Sequence, residues 1–489
     1  MATLTVTTTD GNVIQFNDKL VAYGGEKAVF FSLDRKQVVL FFYGHMPDRA
    51  ERRSRLEKIV YDYNPTRDGD QAEYWRSHFC WPTGVIDGNQ PFPVSFIQQH
   101  NLVQPVLGIA TPVYSDDYFF IDTKTGSKRE KEGKWFTAPK ARRMLPEAER
   151  GNFLRMLQVC TCVARAVGRM HMAGLAHSDL SNKNVLIDPR RGKACIIDVD
   201  SLVVPGLNPP SVLGTPGYIA PEVLGNDAKP SMRTDEHALA VLIYETLLLR
   251  HPLRGPKSWS TRSPEEDELL SMGKNAIFVE HPTDKRNNLN PPPAISYKRL
   301  GSQLAGLFTR AFVDGLHNPS RRPSALEWGR GLSRTLDLVH PSSPKMDQWF
   351  VLEKGMDMVC PYTYHKVPPP VPVINFHKLI GGIYKPEGIQ LIVWDQLRLF
   401  DHHRFSSVNA ADPKSDKTPR GTFRFSDGKW WFQNESGETM KEWYSSAEKW
   451  EDRPPDGKPF RVRHGMQLLL SEKPEGRLAI IEFYNGPTG

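Results

Sequence analysis

Over roughly the first 115 residues, short apolar runs alternate with turns, the period-two signature of half-buried strands. "KQVVLFFYG", Lys36 to Gly44, is such a run: β-favouring, apolar and closed by a glycine. One helical stretch follows at "MPDRAERRSRLEKIV". From about residue 145 to 340 the apolar spacing turns helical, with Pro- and Gly-rich loops between. "HALAVLIYETLLL" is apolar on every side except for Glu245, and reads as a buried core helix. Proline clusters then interrupt the chain at "HPSSPKM", His340 to Met346, and "VPPPVPV", Val367 to Val373. Strand-like runs resume in "IQLIVWD", "TFRFSDGKWWFQ", "FRVRHGMQLLL" and "RLAIIEFY". Asp427-Gly428, between two aromatic runs, predicts a hairpin turn. The pattern predicts an α+β protein: a β-rich segment over 1–114, a helical one over 115–338, a Pro-rich linker over 339–373, and a β-rich, sandwich-like domain over 374–489. No internal repeat or long low-complexity tract is visible.

Composition changes this picture little. Of 489 residues, 39% are hydrophobic and 24% charged, ordinary for a globular chain. The 63 basic and 56 acidic residues give +7, spread rather than massed. The densest basic stretch, Lys128 to Arg143, is broken by acids and reads as a solvated loop, so no nucleic-acid partner is expected. Five cysteines, with no C-x-x-C pair, predict reduced thiols and neither a disulfide framework nor a zinc site. Cys360 with His365 and His377 is too sparse to be read as a metal site. The N-terminus lacks the basic flank and apolar core of a signal peptide, and no run is long enough to span a bilayer. A cytoplasmic protein with no membrane partner is expected.

The chemistry gathers in "LAHSDLSNKNVLID", Leu175 to Asp188, and the following "CIIDVDSL". The first holds H-x-D with Asn184 five residues after Asp179; the second supplies Asp198. Phosphoryl transfer needs a carboxylate to orient and deprotonate an attacking hydroxyl, and oxygen ligands to hold magnesium on the phosphates. Asp179 fits the first role, Asn184 and Asp198 the second. Asp179 to Asn184 are predicted on a loop between a helix ending near Ala173-Gly174 and two short strands, "NVLID" and "ACIID", the second of which leads to Asp198.

Downstream motifs strengthen this reading. "GTPGYIAPEVL" contains A-P-E, with Glu222; "TDEHALAVLIYETLLL" begins with Asp235; "NPSRRPSALEW" carries Arg322 before a proline. In this order and spacing, residues 15 to 335 resemble a eukaryotic-type Ser/Thr protein kinase. The resemblance implies a bilobal fold, with a β-rich N-lobe over 1–114 and a helical C-lobe over 115–338. It implies ATP with Mg²⁺ or Mn²⁺ as cofactors and a protein substrate. It also implies structural roles for His177, for Asp235 as acceptor of loop N–H groups, and for an Arg322–Glu222 pair. Thr215 matches the Ser/Thr rather than the Tyr pattern. "GGEKAVF", "DLSNKN", "IDVDS" and "LFTRAFVDGLHNPSRRPS" resemble, more narrowly, a bacterial kinase group of stress and tellurite-resistance cassettes. That group is encoded beside a metal-dependent protein phosphatase and a von Willebrand factor A protein, which the resemblance implies as partners.

Several positions depart from the kinase pattern. The nucleotide loop, "YGGEKAVFF", offers Gly24 and Gly25, then Lys27 where a third glycine is usual. Aligning "VVLFFY" on the family's strand puts Phe41 where the phosphate-binding lysine belongs. Lys27, in the loop covering the phosphates, is the candidate replacement; Lys36 precedes the strand and points to solvent. The partner glutamate would be Glu57 or Glu51. Ser178 and Ser181 replace an Arg and a Lys, and Lys183 stands near enough to the latter to share its role. Asp200 turns D-F-G into D-V-D, an extra carboxylate for metal or for solvent. The hinge falls within "GIATPVY", where the backbone of Ala110, Thr111 and Val113 would meet adenine.

Two functions remain open on this reading. Retention of Asp179, Asn184 and Asp198 argues for catalysis; Phe41 argues for a pseudokinase scaffold or regulator. A small-molecule phosphotransferase shares the H-x-D loop but lacks the A-P-E segment and the distal arginine. The tail resembles a forkhead-associated sandwich, but the Arg and Ser-x-x-His pair for phosphothreonine cannot be placed, so an interaction module without phosphopeptide binding is expected.

Overall fold

Six antiparallel strands from the first 112 residues form one sheet, in the order β1-β2-β3-β4-β6-β5. They are β1 (Thr3–Thr7), β2 (Val13–Tyr23), β3 (Lys27–Ser32), β4 (Gln37–Phe42), β5 (Gly84–Gly88) and β6 (Val106–Pro112). The computed structural model describes residues 2–67, 69–210, 214–410, 415–444 and 448–487. Contacts divide the chain into two units: 1–151 with 155–293 and 307–329, and 152–154 with 294–306 and 330–489.

The apolar run in β4 serves two cores at once. Successive strand residues point to opposite faces. Phe41 therefore packs with Phe16, Phe30 and Phe96 on one face, fully buried. Phe42 faces the other way, onto Leu56 and Val60. These two residues belong to the helical stretch expected after Met46: α1, Arg49–Glu57, continuing as one π turn over Lys58–Asp62. Its apolar face (Leu56, Ile59, Val60) lies inward, while Arg53 and Glu57 pair i to i+4 outside.

The rest of the first unit is mainly helical, as its spacing predicts. Phe153–Met172 forms a long helix, after which Gly174 turns the chain at φ +82. The hairpin of Val185–Asp188 and Lys193–Ile196 follows. In the helix Met232–Leu248 every residue from Thr234 onward is buried. It is the continuous apolar run read from sequence, including Glu245.

Two polar contacts fix this frame. Arg322, fully buried, grips both carboxylate oxygens of Glu222 at 2.7 and 2.8 Å and donates to the carbonyls of Gly315, Leu316 and Arg233. Glu245 accepts the hydroxyl of Tyr218, and burial pushes its pKa up to about 7.

In the second unit, two sheets close over one core. One has six strands, running from the edge strand Ile383–Ile392 through Val371–Ile380 and Leu478–Tyr484. The other has four, centred on Gly421–Ser426 and Lys429–Asn434. Ile374, Phe376 and Ile481 of the first meet Leu399, Phe423 and Phe432 of the second. This is a sandwich. The hairpin at Asp427-Gly428 is present, both residues having positive φ as a type I′ turn demands. The stretch 339–373 is more than a tether. Val339–Pro341 pairs with Trp349–Val351, and the strand Val371–Ile380 opens directly after the proline run. Prolines lack a ladder donor only at their own positions, and Pro341 and Pro372 are each accommodated within a paired strand, opposite Trp349 and Phe483.

Two predictions follow from the buried polar groups. Arg322→Ala strands Glu222 and is expected to destabilise the first unit by about 3–5 kcal/mol, read as a lower denaturation midpoint. Glu245 has a folded pKa above the ordinary carboxylate value of about 4.3. Its neutral form is therefore favoured by folding, and stability is lost as pH rises from about 4 to about 7. The denaturation midpoint should fall between about pH 4 and 7 in the wild type, and less steeply in Glu245→Gln.

Candidate active site

The loop 175–184 is held from below by the helix Met232–Leu248. Asp235 is buried near the start of that helix, and its Oδ2 accepts the His177 N–H at 2.6 Å and lies 3.2 Å from His171 Nε2. His177 in turn places Nε2 2.9 Å from the carbonyl of Ile197, the residue before Asp198. One buried carboxylate thus ties the loop to the helical core, and one imidazole ties it to the next strand.

Asp179 is set by two donors. Its Oδ1 accepts the Thr215 N–H at 2.6 Å and its Oδ2 accepts Asn184 Nδ2 at 3.0 Å. Asn184 Nδ2 also donates to the Asp179 carbonyl at 2.8 Å. Its amide nitrogen is thereby committed, which leaves Oδ1 as the donor for a cation. Thr215 bonds its hydroxyl to Ser181 at 3.1 Å, and Ser178 donates to the Ser201 carbonyl at 2.8 Å. Lys183 is exposed beside this loop.

Opposite lies Lys27. It is the first residue of β3, directly after the turn Gly24-Gly25-Glu26 rather than within it. The turn is short: Gly24 N–H donates to the Lys27 carbonyl at 2.8 Å, and the Tyr43 hydroxyl reaches the carbonyls of Gly24 and Gly25 at 2.8 and 3.0 Å. A Cβ at Gly25 would meet nothing within 4 Å; the space beside it belongs to the cleft. Lys27 Nζ lies 3.0 Å from Asp198 and 2.8 Å from Asp200. Burial alone would lower the ammonium pKa, but the charges of Asp200 and then Asp198 outweigh it and raise it. The same Lys27 charge lowers the pKa of Asp198 against its desolvation.

Lys27, Asp179, Asn184, Asp198 and Asp200 line one cleft of about 750 Å³, with Phe42, Arg52 and Arg55. Asp198 adopts a left-handed backbone, φ 59 and ψ 40, a strained conformation of the kind that gathers at functional sites. Its carboxylate is half exposed to the cleft. A carboxylate and an amide carbonyl are hard oxygen donors, the set that magnesium takes together with phosphate and water oxygens. Among the described residues no group of three or more His, Cys, Asp or Glu is arranged to hold a metal.

Residues 131–327 match the protein kinase domain model. The domain is protein-kinase-like. The match spans Asp179, Asn184, Asp198, Glu222, Asp235 and Arg322; Lys27 and the sheet lie before it. A probable serine/threonine-protein kinase, PLK, of Dictyostelium discoideum is 28% identical over 140 residues, covering 27% of this chain and 14% of that protein. The serine/threonine-protein kinase PknA of Mycobacterium tuberculosis is 36% identical over 99 residues, 19% of this chain and 22% of PknA. The chain therefore spans less than a quarter of each of these relatives. A rhoptry antigen kinase domain of Toxoplasma gondii aligns with 14% identity and a TM-score of 0.40, over 68% of this chain and 86% of that one.

The kinase-like domain rearranges several residues singled out from sequence. Phe41, aligned with the phosphate-binding lysine, points away from the cleft. The cleft-facing residue is Phe42, opposite Lys27 in the β3–β4 register, with the ammonium 5.8 Å from its ring. Glu57 pairs with Arg53 and Glu51 is exposed, so neither reaches Lys27. The α1 face turned to the cleft is cationic. Arg52 stacks over Phe42 and bonds Glu26 at 2.6 Å, and Arg55 donates to the Asn208 carbonyl at 2.9 Å. The signal was available: Arg52 and Arg55 fall at helical spacing before Leu56 and Ile59, on the buried face. Asp200 is buried against Lys27, which excludes the solvated reading. At the hinge, Ala110 opposes both Val39 and Gly84 and its carbonyl accepts Thr83 N–H; Thr111 opposes Val38; Val113 N–H donates to the Lys36 carbonyl. The Ala110 carbonyl and Val113 amide are thus engaged by protein groups.

Phe41→Leu should therefore behave as a core substitution. About 1–2 kcal/mol of stability should be lost, with MgADP affinity by calorimetry unchanged. Phe42→Leu should weaken that affinity a few-fold through the lost contact with Lys27.

Proposed function

We propose that this protein is a Ser/Thr protein kinase that transfers the γ-phosphate of ATP to protein hydroxyls, with Lys27 in place of the usual strand lysine. The observation that carries this reading is the ammonium of Lys27, 3.0 Å from Asp198 in the cleft shared with Asp179 and Asn184. A scaffold needs no cation there, nor all three of those side chains.

In this reading Asp179, held by Thr215 and Asn184, orients the acceptor hydroxyl and takes its proton as the oxygen attacks the γ-phosphorus and the bond to the β–γ bridging oxygen breaks, releasing ADP. Lys27 binds the α- and β-phosphates. Asn184 and Asp198 would hold Mg²⁺ or Mn²⁺, which supplies charge neutralisation on the phosphate oxygens. Gly24 and Gly25 leave the turn low enough for the phosphates to lie beneath it. Ser178, in place of an arginine, leaves no partner there for a phosphate on the segment that follows Asp198, so activity needs no such modification. The C-terminal sandwich serves as an interaction module. A metal-dependent protein phosphatase and a von Willebrand factor A protein are the proposed partners, in a cytoplasmic stress response of the tellurite-resistance kind.

Transfer of radiolabelled phosphate from MgATP tests the reading. Wild type should label itself or a protein acceptor, and Asp179→Asn and Lys27→Ala should each lose about 10²–10³-fold. Nucleotide binding without transfer by wild type would favour the scaffold. Full activity in Lys27→Ala would remove the lysine assignment.

A further inference from the structure

We infer that Asp200, not a glutamate of α1, is the positioning residue that holds Lys27 for the nucleotide phosphates. The inference rests on the kinase reading of the cleft and goes further, to what keeps its lysine in place.

An ammonium brought out of water needs a fixed anion beside it. Lys27 is only 14% exposed, and helix α1 supplies it with no carboxylate. Glu57 is turned outward onto Arg53, and the cleft side of α1 carries Arg52 and Arg55. The two anions at hand differ in kind. Asp198 has a side chain 51% exposed, open to the cleft and suited to exchange Lys27 for a cation. Asp200 is 8% exposed, lies 2.8 Å from Nζ, and has no other ion-pair partner among the described residues. It is therefore the standing partner, and Asp198 the exchangeable one.

The replacement follows from where the lysine comes from. A lysine on β4 would approach α1; that position holds Phe42, packed on Leu56. Lys27 instead arrives from the start of β3, over the Phe42 ring, toward the turn Val199–Ser201. Its anchor then sits two residues from the metal carboxylate. One short segment sets both.

The test uses the full chain. Affinity for MgADP by calorimetry and steady-state transfer from MgATP are measured for wild type, Asp200→Asn, Asp200→Glu, Lys27→Ala, Lys27→Ala/Asp200→Asn and Glu57→Gln. Asp200→Asn should weaken MgADP binding and raise KM for MgATP about tenfold, with a smaller change in kcat. Asp200→Glu should recover most of that loss. The double variant should be no worse than Lys27→Ala alone, since the two residues act as one unit. Glu57→Gln should match wild type. Wild-type affinity in Asp200→Asn, additive losses in the double variant, or a tenfold loss in Glu57→Gln would each overturn the pairing while leaving kinase activity standing. If wild type binds MgADP but transfers nothing, the kinase reading falls and the binding arm alone decides Asp200. No nucleotide binding by wild type overturns both. If Asp200→Asn melts early in nucleotide-free buffer, Asp200→Glu decides: a folded variant without recovered affinity sinks the assignment.

Discussion

A cation in a protein cleft has to be matched, and in this chain the matching of one ammonium organises the whole site. Lys27 enters from β3 and meets Asp198 and Asp200 together. Because β-strand side chains alternate, the neighbouring strand can present Phe41 to its core or to the cleft, not to both. It presents Phe42 to the cleft, and the aromatic ring fills the space that a lysine and its helix partner would otherwise share. The charge has moved one strand over. The anions that answer it come from the segment after Ile197 instead of from α1.

The supports of this arrangement lie far apart in sequence and close in chemistry. Asp235 takes the His177 N–H, His177 meets the Ile197 carbonyl, and Thr215 and Asn184 hold Asp179. Asp235 joins the loop to a buried helix, His177 joins it to the end of the next strand, and Asn184 and Thr215 fix Asp179 within and beside it, so the loop has little freedom left. Arg322 and Glu222 do the same for the A-P-E segment, with five donor contacts from one guanidinium. Buried polar groups this thoroughly partnered favour one arrangement over near alternatives, because any rearrangement leaves one of them unpaired.

Much of this was legible in the sequence. The order of strand-like and helical runs gave the β-rich sheet, the helical lobe and the C-terminal β-sheets. Asp427-Gly428 gave its hairpin, because a type I′ turn has few acceptable residues. The loop Leu175 to Asp188 and its downstream motifs pointed to the kinase likeness. What the sequence hid was parity and partnership. An alignment that is off by one residue along β4 exchanges Phe41 and Phe42, and with them core and cleft. The ion pair of Lys27 with Asp200 spans 173 positions, and no local pattern announces it. The backbone groups of Ala110 and Val113 look free in sequence, and in the fold the Ala110 carbonyl accepts Thr83 N–H while Val113 N–H donates to the Lys36 carbonyl. The run 339–373 looked like a linker because prolines dominate its composition, yet its few apolar residues suffice to build strands.

The burial of Lys27 and Asp200 also sets how the site answers to its medium. At physiological ionic strength the Debye length is about 8 Å, and mobile ions weaken pairs they can surround. Arg53 and Glu57, 46% and 38% exposed, stand among those ions. Lys27 and Asp200, at 14% and 8%, do not. A rise in salt that loosens the outer face of α1 and the open Lys27–Asp198 contact leaves the Lys27–Asp200 pair matched, so the lysine keeps one anion that the medium does not reach.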